Sequence, residues 1–192
     1  MREISLNLLD IVQNSITAGA SHVRIDLFKD RPGQLILTVA DDGDGMDAET
    51  LKKATDPFFT TRKTRKVGLG LSLLRAEAER TGGSLALNSV WKRENPTHHG
   101  TTLTAVFCTD HVDCPPMGNI VETLCALLQG HPNVDITFRH RTEQADVRLD
   151  TAELKQALGG DIPLSEYEIL CWISEFLHEQ YRKNQKNKTG GF

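Results

Sequence analysis

The chain has 192 residues, of which 39% are apolar and 25% are charged, and its formal net charge is −4. These values are ordinary for a folded globular protein and exclude global disorder. No apolar run approaches the roughly 18–20 residues that span a bilayer, which excludes a transmembrane protein. Residues 1–14 interrupt their apolar positions with polar side chains, so they do not form a secretory signal. Four cysteines without an export signal indicate reduced thiols, and we expect a cytoplasmic location.

Charge is distributed unevenly along the chain. Residues 1–108 carry 14 basic and 13 acidic side chains, residues 109–181 carry 4 and 13, and the last eleven carry four basic side chains and no acidic one. Pro115 and Pro116 cannot continue a helix or strand, so a joint is expected there. The predicted organisation is an N-terminal domain, an acidic α+β accessory domain and a basic, disordered tail: residues 1–112, 113–181 and 182–192. Because the net charge is slightly negative, neither nucleic acid nor a membrane is an expected partner.

The periodicity of apolar residues predicts the secondary structure. Leu9, Val12 and Ile16 lie on one stripe of a first helix, and apolar and charged residues alternate in the strand that follows. The first part of the chain is predicted to contain, in order, a helix, two strands, two helices and two strands: residues 5–18, 23–27, 35–40, 47–55, 69–80, 85–90 and 102–107. Helices on one face of an antiparallel sheet form a two-layer α/β (α+β) sandwich. The accessory part is predicted to contain a helix, a hairpin and a last helix opened by a capping box: residues 120–130, 134–139 with 145–149, and from 165 onward.

Two polar residues on the first helix are candidates for chemistry. Asp10 and Asn14 are four positions apart, so they share one face of the helix. An acid and an amide in this arrangement can hold a metal-bound phosphate next to a proton-accepting base. A plain surface pair remains the alternative.

A glycine-containing acidic turn follows the second predicted strand directly. Its residues 41–46 read DDGDGM, and glycines spaced by one residue let the backbone turn sharply and approach a flat ligand. The acid at the end of the strand can accept a hydrogen bond from an exocyclic amine. The alternatives are an ordinary acidic turn or a calcium loop, although the rest of the calcium-loop pattern is missing.

A second glycine motif opens the long helix near residue 69. Residues 67–72 read VGLGLS, and glycines at the start of a helix leave backbone N–H groups and the positive end of the helix dipole available to an anion. Residues 62–66 supply four cations in five positions just before it. Phosphate is the expected guest, with a solvated charged loop as the alternative.

The motifs DIVQNSITAGA, DDGDGM, DPFFTTR, VGLGLSLL and HHGTTL resemble, in order and spacing, those of the GHKL ATPases. This superfamily includes histidine-kinase catalytic domains, DNA gyrase B, the MutL mismatch-repair proteins and anti-sigma-factor kinases. The resemblance covers roughly residues 3–108. It implies the histidine-kinase-like (GHKL) ATPase fold with ATP and Mg²⁺ as cofactors, whereas no P-loop or dinucleotide-binding fingerprint is present.

The resemblance also implies roles for individual residues. Asn14 corresponds to the asparagine that coordinates the phosphate-bridging Mg²⁺, Asp10 to the general base, and Asp41 to the carboxylate that binds the adenine amino group. The remaining residues assigned to nucleotide binding belong to the glycine turn, the lid, the second glycine motif and the Gly-Thr box: Gly43, Gly45, Met46, Phe58, Phe59, Thr60, Thr61, Arg62, Lys66, Gly68, Leu69, Gly70, Leu71, and Thr101 or Thr102. The choice between the two threonines is open, and the pair His98-His99 before them is predicted to be solvated.

The motifs do not agree on one subfamily. NSITAGA is more similar to MutL, whereas PFFTTR is similar to histidine kinases, in which a basic residue commonly occupies the position of Thr17. The ATP-site helix also begins at once, so we expect neither a sensor nor a phosphoacceptor helix before it. The resemblance implies an Mg-ATP-binding regulatory kinase or ATPase that acts in trans on a partner protein in signal transduction. The alternatives are an ATP-gated hydrolase or switch with MutL-like chemistry and a non-catalytic, nucleotide-dependent interaction module; a homodimer is left open.

Overall fold

The computed structural model describes residues 3–31, 33–56, 69–143, 145–159 and 162–186. In chain order, the helices within these ranges are α1 (Ile4–Thr17), α2 (Ala48–Lys53), α3 (Leu69–Arg80), α4 (Ile120–Gly130), α5 (Thr151–Ala157) and α6 (Tyr167–Lys186). The strands are β1 (His22–Arg31), β2 (Gln34–Asp41), β3 (Ser84–Val90), β4 (Gly100–Cys108), β5 (Asp135–Arg141) and β6 (Asp146–Asp150). Each predicted element is present, and α5 is an addition. In the described part of the chain, no helix is both long enough and apolar enough to span a membrane.

The six strands form one mixed sheet in the order β3-β4-β2-β1-β5-β6. The predicted antiparallel pairing is correct for β3, β4, β2 and β1, and the predicted hairpin is β5 with β6. The sheet continues beyond these four strands, because β5 runs parallel to β1, with Ile136 opposite Val23. Parallel neighbours need a crossover connection, and α4 lies in the connection that leads to β5.

One hydrophobic core lies between the sheet and the helices. Every second residue of the central strands is buried, including Ile25, Leu37 and Phe107, and burying one such side chain stabilises the fold by about 1.5–3 kcal/mol. The same core continues under β5 and β6. The strands after residue 113 extend the same sheet that the strands before it form. The division into two domains at 112/113 therefore stays a prediction.

The start of α1 is held by the segment that leads into α4. The helix has no side-chain cap. Instead, the backbone N–H of Ile4 donates to the carbonyl of Pro116 (2.9 Å), and that of Ser5 donates to the carbonyl of Met117 (3.0 Å). These bonds satisfy N–H groups that have no partner inside the helix. The C-terminal part of the chain thus fixes the helix on which Asp10 and Asn14 lie.

Candidate functional site

Asp41, the last residue of β2, is the centre of a hydrogen-bond network. Its Oδ2 accepts from the hydroxyl of Ser15 (2.6 Å), and its Oδ1 accepts from the backbone N–H groups of Gly43 (3.0 Å) and Thr101 (3.1 Å). All three donors are neutral. A carboxylate offers about four lone-pair sites, so the orientation of Asp41 is fixed while it keeps acceptor capacity for a ligand.

The hydroxyl of Ser89 on β3 joins the glycine turn to the start of β4. It accepts from the backbone N–H of Met46 (2.8 Å), donates to the carbonyl of Gly100 (3.0 Å) and lies 2.9 Å from the hydroxyl of Thr101. Thr101 is also the residue opposite Asp41 in the sheet, whereas Thr102 is opposite Ala40. Of the two candidate threonines, Thr101 is therefore the one that contacts the Asp41 network.

Two glycines permit this close approach of backbone segments. Gly100 has φ +126°, and a Cβ there would collide with the carbonyl oxygen of Asp41. Gly45 has φ +66°, and a Cβ there would collide with the carbonyl oxygen of Val90. Both conformations strain any residue with a Cβ, so these positions require glycine.

Asp42 is used differently from its neighbour. Its Oδ1 accepts from the backbone N–H groups of Ser21 and His22, both at 2.8 Å, and its Oδ2 accepts from the hydroxyl of Ser21. Partial burial alone would raise the pKa of Asp42, but these hydrogen bonds hold its pKa below the ordinary value. The charge of Asp42 therefore secures the entry into β1.

The prediction that His98 and His99 form a solvated pair is wrong for His99. The loop after β3 folds back over the glycine turn, where the backbone N–H of Lys92 donates to the carbonyl of Asp44 (2.9 Å). This brings Nδ1 of the half-buried His99 to 2.7 Å from the carbonyl of Gly43. His98 is exposed, as predicted.

The second part of the site lies where α3 begins. Asp10 and Asn14 are both half-buried on α1, and a Cβ on Gly70 would lie 3.6 Å from Oδ2 of Asp10. The first turn of α3, with Gly70 and the half-buried Leu71, is therefore next to the Asp10 carboxylate. Backbone N–H groups at a helix start attract anions. The fold thus brings the Asp10 carboxylate to the N-terminus of α3, and Asn14 lies one turn further along α1.

The two parts are joined by α1, because Asn14 directly precedes the Ser15 that binds Asp41. The lid and the first residues of the second glycine motif lie outside the described residues: Phe58, Phe59, Thr60, Thr61, Arg62, Lys66 and Gly68. Three residues of the network were not identified from the sequence: Ser15, Ser89 and His99. For Ser15 a signal exists, since a serine on the buried stripe of a helix needs a hydrogen-bond partner.

Comparison with known proteins gives matches to a family model and to two curated relatives. The family model described as "Histidine kinase-, DNA gyrase B-, and HSP90-like ATPase" matches residues 2–111. The DNA mismatch repair protein MutL of Bradyrhizobium sp. (strain ORS 278) is 35% identical over 123 residues, which are 63% of this chain and 18% of that protein. A putative sensor protein of Shewanella frigidimarina is 30% identical over 109 residues, 55% of this chain and 16% of that protein. The chain thus spans less than a fifth of the length of these relatives.

Two solved structures resemble the fold. The MutL ATPase domain of Aquifex aeolicus complexed with ADP matches with a TM-score of 0.54 at 14% identity, over 82% of this chain and 68% of that chain. The N-terminal domain of a DNA repair protein matches with a TM-score of 0.54 at 14% identity, over 78% and 52%. At this level of identity the likeness concerns the fold alone.

Proposed function

Since the chain belongs to the family of histidine kinase-, DNA gyrase B- and HSP90-like ATPases, we propose that it binds Mg-ATP and transfers the γ-phosphoryl group to a partner protein. The observation that carries this proposal is that α1 joins the Asp41 network to the polar residues near the start of α3. At one end of the site a carboxylate is oriented by neutral donors, and at the other the Asp10 carboxylate lies beside the start of α3, with Asn14 one turn further along α1. A cytoplasmic location and regulation of the partner belong to the same proposal.

Adenine recognition is assigned to the Asp41 end. The oriented carboxylate accepts a hydrogen bond from the exocyclic amino group, which donates but does not accept. Gly100 lets the start of β4 lie against the backbone of Asp41, and Gly45 lets the glycine turn lie against the backbone of Val90. Met46, whose N–H is held by Ser89, lines the base on one side.

Phosphate binding is assigned to the Asp10 end. Mg²⁺ prefers oxygen ligands and binds through few protein groups together with phosphates, and the amide oxygen of Asn14 fits that preference. When bound, Mg²⁺ supplies neutralisation of the phosphate charges. The N–H groups of Gly70 and Leu71 at the start of α3 donate to phosphate oxygens.

Asp10 is assigned as the general base that accepts the proton of the attacking O–H group. Aspartate is one methylene shorter than glutamate, so its carboxylate lies about 1.5 Å further back than glutamate would place it. General-base assistance contributes about 10²–10⁴-fold and depends on reach.

A second candidate function is an ATP-gated hydrolase whose conformational change is the output. The 35% identity to a MutL protein supports it. Both candidates share ATP binding and differ in where the γ-phosphate goes.

The test follows γ-labelled ATP into inorganic phosphate, into this chain and into added proteins of the same cell. Asp10→Asn should abolish turnover and leave ATP affinity unchanged, and Asp10→Glu should retain activity or raise hydrolysis. Label on an added protein supports the kinase, and label in phosphate alone supports the hydrolase. Unchanged turnover in Asp10→Asn would show that Asp10 is not the base. A parallel arm with duplex DNA tests the prediction that nucleic acid is not a partner.

A further inference from the structure

The C-terminal helix α6 carries an aromatic pair on the side that faces away from the core. Ile173 and Leu177 are fully buried on its inner side, whereas Trp172 is 50% exposed and Phe176 is 38% exposed. The two exposed rings stack with centroids 5.1 Å apart and an interplanar angle of 9°. Aromatic residues are enriched in the cores of protein interfaces, and Trp is prominent among the residues that dominate binding energy. The pair is therefore a candidate interface centre.

The helix that carries this pair is held firmly on the sheet. The side-chain amide of Gln180 donates to the carbonyl of Arg148, whose N–H donates back to Oε1 of Gln180, both at 2.9 Å. In the next residue, Tyr181, the hydroxyl lies 2.9 Å from Nδ1 of His140. A surface on a fixed helix loses little conformational freedom when a partner binds.

Charge is ordered along α6. Glu166 and Glu168 are exposed at its start, and Arg182 and Lys183 are exposed near its end, with the aromatic pair midway between them. Lys183 lies 3.3 Å from Glu179, and the two side chains are 78% and 55% exposed. An exposed ion pair of this kind contributes little to stability, so Lys183 can pair with an acid of another chain instead.

We infer that α6 is a homodimer seam on which the α6 of a second copy of this chain packs antiparallel. A two-fold interface must be self-complementary. Antiparallel packing places the acidic start of each helix beside the basic end of the other, twice, and brings the aromatic pairs together at the axis. Parallel packing would instead place like charges together at both ends.

Glu175 opposes this dimer and makes the proposal testable. Glu175 is exposed midway along the helix, so the two copies of it lie near each other at the axis and repel. A basic partner protein on the same surface would be attracted by Glu175. The effect of neutralising Glu175 therefore has opposite signs for the two occupants.

The expected dimer is weak. The 20 residues of α6 span about 30 Å, and one helix face of that length buries less than the ~800 Å² per partner of a standard interface. Association should therefore depend on protein concentration. This inference does not rest on the proposed ATP chemistry.

The experiment is sedimentation equilibrium of the full chain over increasing concentration, without nucleotide. Trp172→Ala should weaken dimerisation by more than tenfold. The matched control is Val112→Ala, which truncates an apolar side chain that is 89% exposed but lies outside α6, and it should have no effect. Glu175→Gln should tighten the dimer severalfold.

A charge exchange tests the antiparallel geometry. The double variant Glu166→Lys with Glu168→Lys should be a monomer, because both ends of its α6 are then basic. The double variant Arg182→Glu with Lys183→Glu should also be a monomer, because both ends of its α6 are then acidic. Mixing the two variants should restore dimers, and the chain that carries all four substitutions should dimerise alone. Far-UV circular dichroism checks that each variant is folded.

Three results would overturn the inference. They are a parent chain that stays monomeric at every concentration, a dimer that Trp172→Ala leaves unchanged, and a dimer that Glu175→Gln weakens. A monomeric chain would assign the aromatic pair to a different partner protein. Since no arm contains nucleotide, none of these results bears on ATP binding.

Discussion

Two carboxylates at opposite ends of the sheet differ in the donors around them. Asp41 at the end of β2 is held by a hydroxyl and two backbone N–H groups, and within the described residues no basic side chain pairs with it. Asp146 on β6 receives two hydrogen bonds from Arg139 and two from Arg148. Those bonds hold the pKa of Asp146 well below its usual range.

The difference separates a binding carboxylate from a structural one. Neutral donors fix the direction of Asp41 but leave its negative charge uncompensated and open to a ligand. Two arginines compensate the charge of Asp146, which ties β5 to β6 and leaves little attraction for anything else. Both Asp41 and Asp146 accept several hydrogen bonds, so the number of bonds alone does not distinguish them. The charge of the donors does, because it is neutral around Asp41 and positive around Asp146.

The largest expected effect comes from the backbone at the Asp41 end. Gly100→Ala should lower the free energy of unfolding by about 3 kcal/mol or more, because a strained φ of +126° and a collision with the Asp41 carbonyl add together. The control is Gly159→Ala after α5, where φ is +82° but a Cβ meets no atom of the described residues within 4 Å. It should cost only about 1 kcal/mol. Urea unfolding of both variants measures the difference, and equal losses would contradict the close approach at Gly100.

Asp41→Asn tests the ligand side of the comparison. It removes a charged acceptor worth about 1.5–3 kcal/mol, so affinity for Mg-ATP should fall roughly tenfold or more. Asp146→Asn makes the same chemical change at the other end and should leave the affinity unchanged. Isothermal titration of the two variants with Mg-ATP decides the point. If both bind like the parent, the adenine assignment is wrong.

Ser15→Ala tests how much the hydrogen-bond network around Asp41 contributes to stability and to ATP affinity. It removes the hydroxyl that donates to Oδ2 of Asp41, so the variant should lose about 1–2 kcal/mol of stability and bind ATP a few times more weakly. Ser21→Ala removes the corresponding hydroxyl from Asp42 and should leave ATP affinity unchanged. Thermal unfolding and titration of both variants give the comparison. A loss of affinity in Ser21→Ala would show that Asp42 also takes part in binding.

Asp10, Asn14, Asp41 and Gly70 could be proposed as site residues from the sequence because the residues that form each motif are close in sequence. Ser89 and His99 could not. The hydroxyl of Ser89 reaches Met46 only through the register of β3 against β4, and His99 reaches the glycine turn only because the preceding loop folds back. Neither condition leaves a local pattern in the sequence.

The pairing of β5 with β1 was missed for a similar reason. His22 and Asp135 are opposite each other although more than a hundred residues separate them, and apolar alternation shows that a strand has a buried face without showing its neighbour. The short helix α5 has a polar composition that gives little periodicity. Its N-cap was readable, since Asp150 accepts from the N–H groups of Ala152 and Glu153.

The smallest expected effect concerns pH at the β5–β6 end, where His140 contacts Tyr181 of α6. Burial lowers the pKa of His140 and raises the pKa of Tyr181 to about 12. The pKa of an unfolded histidine is about 6.5, and the pKa of His140 is lower in the folded protein. The contribution of such a group to stability is complete above about pH 6.5 and is lost as the pH falls toward the folded pKa. The parent should therefore lose stability between neutral and mildly acidic pH. One such group adds a slope of at most about 1.4 kcal/mol per pH unit.

His140→Asn should flatten this slope, because the asparagine keeps a polar group near Tyr181 and does not titrate. His178→Asn is the matched control, since His178 is exposed on the same helix α6 and should leave the slope unchanged. Urea unfolding at several pH values measures both variants against the parent. A slope that survives in His140→Asn would place the titrating group elsewhere. A slope that is lost in His140→Asn and kept in His178→Asn would show that α6 is held to the sheet by a contact that weakens on protonation. The Asp41 network differs, because among the described residues no histidine is in direct contact with the Asp41 carboxylate.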